Sequence, residues 1–442
     1  GSEVGHMTLG AGRIIWQNAA KIDQDIKNDV FCKNNILVNA AKHSKEYGGT
    51  AHFVGLLSDG GIHSHVNHLL ALIDWARKEN IGKIALHLFL DGRDMPPSSA
   101  FSLLRETIFK ETSANLQIAT ICGRATAMDR SENWERTITA FSLLTKTEEI
   151  EARTVEEFLE ESYSENISDE FIGPTRFNDW AIKENDVVIF FNFRADRTRQ
   201  MIRLFTGTAP HTETEKISVP KNLFLASLTE YDPEFREVWV MYPPEYPTNT
   251  LGEWISKKGL KQLRTAETEK YAHVTYFFNG GREDVFIGEE RLVIPSLGLT
   301  NYASNPEMSL PELTKTLLRV LGSNKFDFIV CNIANSDMVG HSGDLSAGIK
   351  AVLSIDEALE KIIPTAQQHG FVTLITSDHG NIEQMYLEGE PHTAHTFNEV
   401  PLVVVDENIK LASEGHLYQV APTILKIMGL EKPEEMTGEA MF

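Results

Sequence analysis

Runs of β-branched and large apolar residues recur along the chain, each followed by a charged or glycine-rich loop. Phe371 to Asn381 (F-V-T-L-I-T-S-D-H-G-N) is the clearest: a strand buried on both faces that breaks into Ser377-Asp378-His379-Gly380-Asn381. The same reading gives strands over Ala51–Ser58, Ile84–Leu90, Leu116–Ile121, Asp186–Asn192, Leu223–Leu228, Ala272–Phe278, Asp327–Ile333 and Val400–Val405. Helical periodicity runs over Ile14–Ala41. It also runs over His68–Lys78, with Leu69, Leu72, Ile73 and Trp75 on one face, and over Ser346–Ile363, with Ile349, Val352, Leu353, Ile362 and Ile363 toward the core. Gly1–Arg13 holds four glycines in thirteen residues and reads as a loop containing Ser2 and His6. The acidic stretch Thr147–Ser168 reads as a surface helix and loop. Strands alternating with helices, with polar loops after strand after strand, indicate an α/β parallel sheet with one functional edge.

Tyr242–Thr250 (Y-P-P-E-Y-P-T-N-T) interrupts this alternation with three prolines in nine residues and reads as a linker. The 442 residues are enough for two or three domains. The formal charge of −22 argues against nucleic acid or an anionic membrane as the main partner. It also means that any cluster of arginines needs a reason. Cys32, Cys122 and Cys331 are odd in number and widely spaced, so neither a disulfide framework nor a cysteine metal site follows, and a reducing compartment fits. No apolar run has the length of a membrane span, and no charged-then-apolar leader is present.

Two constellations carry chemistry. Asp337 and His341 follow one strand, Asp378 and His379 follow the next, and His392 or His395 precedes a third. Each polar group alone reads as a loop cap. Together, at one strand edge, they offer carboxylate and imidazole donors suited to a pair of divalent ions. The second constellation is arginine-rich: Arg93, Arg124 with Arg130, and Arg194 with Arg197, all at strand ends before the linker. Singly these are surface charges. Repeated in so acidic a chain, they indicate a pocket for a small, multiply charged anion, with His63 and Asp94 as neighbouring acid, base or orienter. Metal pair and anion pocket together suggest phosphoryl transfer in a cleft.

Long motifs then match a known family. S-E-V-G-H, S-D-G-G-I-H-S-H, H-L-F-L-D-G-R-D, F-F-N-F-R-A-D-R, A-E-T-E-K-Y-A-H-V-T-Y-F-F-N-G-G-R-E, S-D-M-V-G-H-S-G and T-S-D-H-G-N occur in order from end to end. The chain thus resembles the cofactor-independent (2,3-bisphosphoglycerate-independent) phosphoglycerate mutases. The resemblance implies an alkaline-phosphatase-like parallel-sheet domain, discontinuous in sequence (1–16 and 248–442), with an inserted α/β substrate-binding domain (17–247). The segments near Gln17 and Pro243–Pro247 would be hinges. It implies a cytoplasmic, monomeric isomerase that interconverts 3-phosphoglycerate and 2-phosphoglycerate through a phosphoserine and two divalent metal ions. These would be Mn2+, with Mg2+, Co2+ or Zn2+ as alternatives. On the matching positions, Ser2 would be the phosphorylated nucleophile. Asp337, His341 and His395 would hold one metal, and Asp378, His379 and Ser2 the other. His63, Arg93, Asp94, Arg124, Arg130, Arg194, Arg197 and Lys270 would bind substrate. The resemblance therefore selects His395 over His392.

The pattern departs from the family at the start. The family has an opening strand ahead of this position, carrying a further metal-ligand aspartate, and its nucleophile loop reads G-N-S-E-V-G-H where this chain reads G-S-E-V-G-H. The chain as written is therefore expected to bind metal weakly at Asp378 and His379 and to show little activity, which restoring that segment would rescue. The alternatives are a metal-dependent phosphatase or other phosphomutase of the same superfamily, and a catalytically inert metal- or anion-binding protein.

Overall fold

The computed structural model describes residues 1–442 apart from Glu148 and Lys216; the side chains of His211 and Thr214 also lie outside the description. Glu148 falls in the acidic Thr147–Ser168 stretch, whose described part contains the helix Val155–Ser164. The chain divides into two compact units: unit 1 is Gly1–Trp16 with Glu245–Phe442, and unit 2 is Gln17–Pro244.

Unit 2 is organised by a sheet of seven strands among the described residues, in the order β4-β3-β2-β1-β5-β6-β7. The strands are β1 (Ala51–Leu57), β2 (Ile84–Leu90), β3 (Leu116–Gly123), β4 (Thr175–Arg176), β5 (Val187–Phe190), β6 (Phe224–Thr229) and β7 (Trp239–Tyr242). All neighbours are parallel except β3 and β4. Every residue of β1, β2, β5 and β6 is buried, as expected for strands covered on both faces. Alternate residues feed two cores: Phe53, Leu86 and Trp75 on one face, and Val54, Phe89, Phe141 and Phe190 on the other. Because β1, β2, β3 and β5 run parallel, the loops carrying His63, Arg93, Asp94, Arg124, Arg194 and Arg197 leave from one edge.

Unit 1 contains β8 (Gln262–Glu267), β9 (Glu289–Ile294) and β10 (Phe328–Asn332) in a parallel sheet of order β10-β8-β9. A short hairpin joins β12 (Tyr386–Leu387) to β13 (Glu390–Pro391). A separate antiparallel pair joins β11 (Thr373–Thr376) to β14 (Leu402–Val405). A cavity of about 760 Å³ is lined by both β10 and β11 and reaches Asp337, Asp378 and His379.

Several expectations are corrected here. Gly1–Arg13 is not a loop: Ser2–Ala11 is a helix. Its glycines serve close packing rather than looseness. A Cβ on Gly5 would lie 2.7 Å from the Cβ of Asp378, and one on Gly10 would lie 2.0 Å from the Phe278 carbonyl oxygen. Ala272–Phe278 is not a strand; His273–Phe277 forms a π-helical turn against the Ser2 helix, with the His6 and His273 rings 5.1 Å apart. Tertiary packing has overridden an aromatic, β-favouring run. β11 is half-exposed along its length rather than buried on both faces, because it lines the cavity. Its partner β14 is antiparallel, so the sheets are not wholly parallel. In the helix Leu345–Gln368, Ile349, Val352 and Leu353 are exposed while Ile362 is buried. The helical reading of Ile14–Ala41 resolves into two helices, Asn18–Lys27 and Asn35–Tyr47.

Candidate functional site

In unit 1 the N-terminal residue of the Ser2–Ala11 helix meets the loops that follow β10 and β11. Ser2 Oγ lies 2.7 Å from His379 Nε2. His379 Nε2 is 3.4 Å from Asp378 Oδ2. A few ångströms on, His341 Nε2 and His395 Nε2 sit 3.3 and 3.2 Å from Asp337 Oδ1 and 3.2 Å from each other. One donor atom from each of these last three residues falls within 4.8 Å of the others, a spacing that can hold a metal ion. The His379 and His395 rings stack at 3.7 Å, which joins the two groups into one cluster. His392 lies apart, its Nδ1 3.0 Å from the Gln384 carbonyl.

Lys270 supplies the local positive charge: its ammonium pairs with Asp337 Oδ2. Burial pushes the Asp337 carboxyl up, but Lys270, the Asn381 amide and His341 outweigh it and hold the group far below the usual carboxylate range. Asp378 behaves alike: burial opposes ionisation, while His6 and His379 hold the carboxyl low. Burial, reinforced by neighbouring His379 and His341, lowers the His395 pKa against the pull of Asp337, which favours the neutral ring a metal ligand needs. Burial, with His6 and Lys270 nearby, brings His273 to about 4.

Two residues in this cluster were seen in the sequence but given no role in the site. His6 sits one helical turn after Ser2; its Nδ1 lies 2.9 Å from the Ser2 carbonyl and 3.1 Å from Asp378 Oδ2. Its Nε2 lies 3.1 Å from the Asn332 amide, so the ring ties the helix to β10 and to Asp378. Asn381 donates to Asp337 Oδ1 at 2.8 Å. Reading S-E-V-G-H as helix would have placed Ser2 and His6 on one face; Asn381 stands in the polar loop after β11, but its bond to Asp337 is not written there.

In unit 2, Arg124 is buried and its Nη1 donates to Asp91 and Asp94, both at 2.6 Å. Burial raises the Asp94 carboxyl, but the Arg124 bonds overcome it and keep Asp94 ionised below its usual pKa. His63 is buried with Nε2 3.7 Å from Asp94 and Nδ1 3.3 Å from Asp196. Burial lowers its pKa against the pull of Asp196 and Asp94, which favours the neutral ring. Asp196 also faces Arg130 and Arg194, each at 3.4 Å. Arg93 pairs with Glu170 at 3.3 Å. Arg197 donates to the Met128 carbonyl, and burial together with Arg124, Arg130 and Arg93 lowers its pKa. The structure thus gathers His63, Asp94, Arg124, Arg130, Arg194 and Arg197. Arg93 lies at the margin on Glu170, and Lys270 belongs to the unit 1 cluster. Asp91 and Asp196 are the acids here that sequence reasoning passed over.

A family profile described as "BPG-independent PGAM N-terminus" matches residues 22–233. A Moorella thermoacetica protein named 2,3-bisphosphoglycerate-independent phosphoglycerate mutase is 45% identical over 450 residues, covering 100% of this chain and 87% of its own. A Clostridium acetobutylicum protein of the same name is 46% identical over 452 residues, covering 100% and 88%. A solved structure titled as Leishmania mexicana phosphoglycerate mutase at low cobalt concentration is similar with a TM-score of 0.60 and 28% identity, covering 100% of this chain and 87% of that one.

Proposed function

The chain belongs to the 2,3-bisphosphoglycerate-independent phosphoglycerate mutases, a family of isomerases, and from that premise we propose that it interconverts 3-phosphoglycerate and 2-phosphoglycerate through a phosphoserine on Ser2 with two divalent metal ions. The observation that carries this reading is Ser2 Oγ at 2.7 Å from His379, on the first turn of a helix whose N-terminus favours an added phosphoryl charge. The hydroxyl attacks phosphorus, the bond from phosphorus to the C3 oxygen breaks, and the serine proton ends on the freed glycerate hydroxyl. The C2 hydroxyl then attacks the phosphoserine and returns its proton to Ser2, so no water or second phosphate donor is consumed.

The residues present fit the implied metal ions. Asp337, His341 and His395 would hold one, and Asp378, His379 and Ser2 the other; these nitrogen and oxygen donors suit Mn2+, with Mg2+, Co2+ or Zn2+ as alternatives. When bound, such ions neutralise phosphoryl charge and lower the pKa of a coordinated hydroxyl. Lys270 offsets the charge of Asp337, and His6 fixes the helix bearing Ser2 against Asp378.

Unit 2 supplies the substrate-binding part. Arg93, Arg124, Arg130, Arg194 and Arg197 provide the positive field for a phosphorylated hydroxy acid, and ionised Asp94 beside neutral His63 orients a glycerate hydroxyl. Residues 1–16 and 248–442 would form the metal-binding phosphatase-like domain and 17–247 the substrate domain. Among the described residues no helix is long and apolar enough to cross a membrane. A cytoplasmic, monomeric enzyme of glycolysis and gluconeogenesis completes the proposal.

The test is conversion of 3-phosphoglycerate by the full-length gene product without 2,3-bisphosphoglycerate, with chelator and with added Mn2+. We expect 2-phosphoglycerate, lost on chelation and restored by the metal. Chelator-insensitive turnover contradicts the metal-assisted mechanism, and release of inorganic phosphate as the main product favours a phosphatase instead.

A further inference from the structure

The most buried acid paired with an arginine of the unit 2 cluster is Asp91, the first residue after β2. Its side chain is 2% exposed. Oδ1 accepts from Arg124 Nη1 at 2.6 Å, from the Asp94 amide at 3.0 Å and from the Arg93 amide at 3.3 Å. Oδ2 accepts from Ser58 Oγ at 2.7 Å, and that oxygen in turn accepts from the Gly60 amide at 3.1 Å. One carboxylate therefore ties together the loops after β1, β2 and β3, which carry His63, the Arg93–Asp94 turn and Arg124.

We propose that Asp91 is a positioning residue of the anion site: its buried carboxylate sets Arg124 and the Arg93–Asp94 turn in the pose that receives a phosphorylated hydroxy acid. The inference rests on the reading of unit 2 as the substrate-binding part. The physical argument is one of charge and reach. Arg124 is buried with two carboxylates on the same nitrogen, so neither acid alone sets its position. Charge-assisted bonds of this length are about twice as strong as neutral ones and directional. Without the charge on Asp91, the guanidinium is drawn wholly to Asp94, which removes Asp94 from the hydroxyl it would orient. A competing account gives Asp91 only the turn, through the Arg93 and Asp94 amides.

Asp91→Asn separates these accounts, because its amide oxygen still accepts both backbone N–H groups while the charge is lost. In the full-length enzyme, positioning predicts a KM for 3-phosphoglycerate raised about 10- to 100-fold, kcat within about threefold and a melting temperature near that of the parent. Ser58→Ala frees Oδ2 but leaves every Oδ1 bond, and predicts a smaller KM rise of about threefold. It also carries the test should D91N fail to fold. In the Arg124→Lys background, D91N should add no further KM change, because Asp91 acts through Arg124. Unchanged KM in both variants, or full additivity with Arg124→Lys, overturns the proposal. A parent enzyme that neither binds nor turns over 3-phosphoglycerate overturns the functional reading itself, which a D91N result in an active parent does not touch.

Discussion

The two polar clusters are built on opposite principles. In unit 2 the cations dominate, and buried or half-buried acids (Asp91, Asp94, Asp196) hold them in place above strands that are buried on both faces. In unit 1 the acids and imidazoles dominate, with Lys270 as the local cation, beside β10 and β11, which are largely half-exposed and line a cavity. The first arrangement is internally compensated and suits recognition of an anion. The second gathers carboxylates and imidazoles within hydrogen-bond range of one another beside that lysine, a donor set of the kind a divalent cation binds. On the proposed reading, binding chemistry is preformed in the sheet of unit 2, while the unit 1 cluster is completed by the ions it binds.

The largest expected effect bears on this division of labour. Ser2→Ala should lower mutase turnover by about 10⁴-fold or more while leaving 3-phosphoglycerate binding in titration calorimetry close to the parent. Loss of binding together with turnover would merge the two roles. Chelation should come next, abolishing activity and lowering melting temperature. Hydrogen exchange should then rise around Asp337–His341 and Ser377–Asn381 but not around Asp91–Arg124; a uniform rise would break the contrast. A smaller effect is expected from Arg194→Ala, which should raise KM about tenfold with little change in kcat, because this exposed arginine loses only Asp196 and the anion.

The smallest effect is on pH. His52, His63, His68 and His87 of unit 2 all have pKa values lowered chiefly by burial. The unfolded chain takes up protons near the ordinary histidine pKa of about 6.5 while the folded unit does not, so stability is full above that pH and declines as pH falls toward the depressed values. Melting temperature should drop by several degrees between about pH 7 and pH 5. A flat profile in calorimetry would show that these rings are not held neutral.

Legibility in the sequence followed burial. Strands such as Ile84–Leu90 and Ala51–Leu57 announced themselves because both faces are covered and apolar side chains fill them. β8 did not, because four of its six buried residues are polar or charged: Gln262 and Arg264 bond each other at 2.6 Å, and the Arg264 guanidinium lies over Phe278 and Phe328. The glycines of Gly1–Arg13 looked like a loop, yet they are small so that a helix can press on Asp378 and Phe278. In the site, residues that end apolar strands were visible, namely Asp378, His379, Arg124 and Arg194. His6, Asn381 and Asp196 act by touching other side chains across loops, and no local pattern records a contact between distant positions; Asp91 does end the apolar strand β2, but its bonds to Arg124 and Ser58 on other loops are not written in that pattern. The choice of His395 over His392 likewise came from resemblance rather than spacing; in the structure it is His395 that stands 3.2 Å from Asp337.

The central claim is that the phosphoryl group rests on Ser2. It is tested most directly by mixing the full-length enzyme with 3-phosphoglycerate labelled with ³²P, quenching in acid within one turnover, and mapping the labelled peptide. The account predicts label on Ser2, absent from the Ser2→Ala variant. Turnover of the parent with no label on Ser2, or with label on another residue, would contradict it.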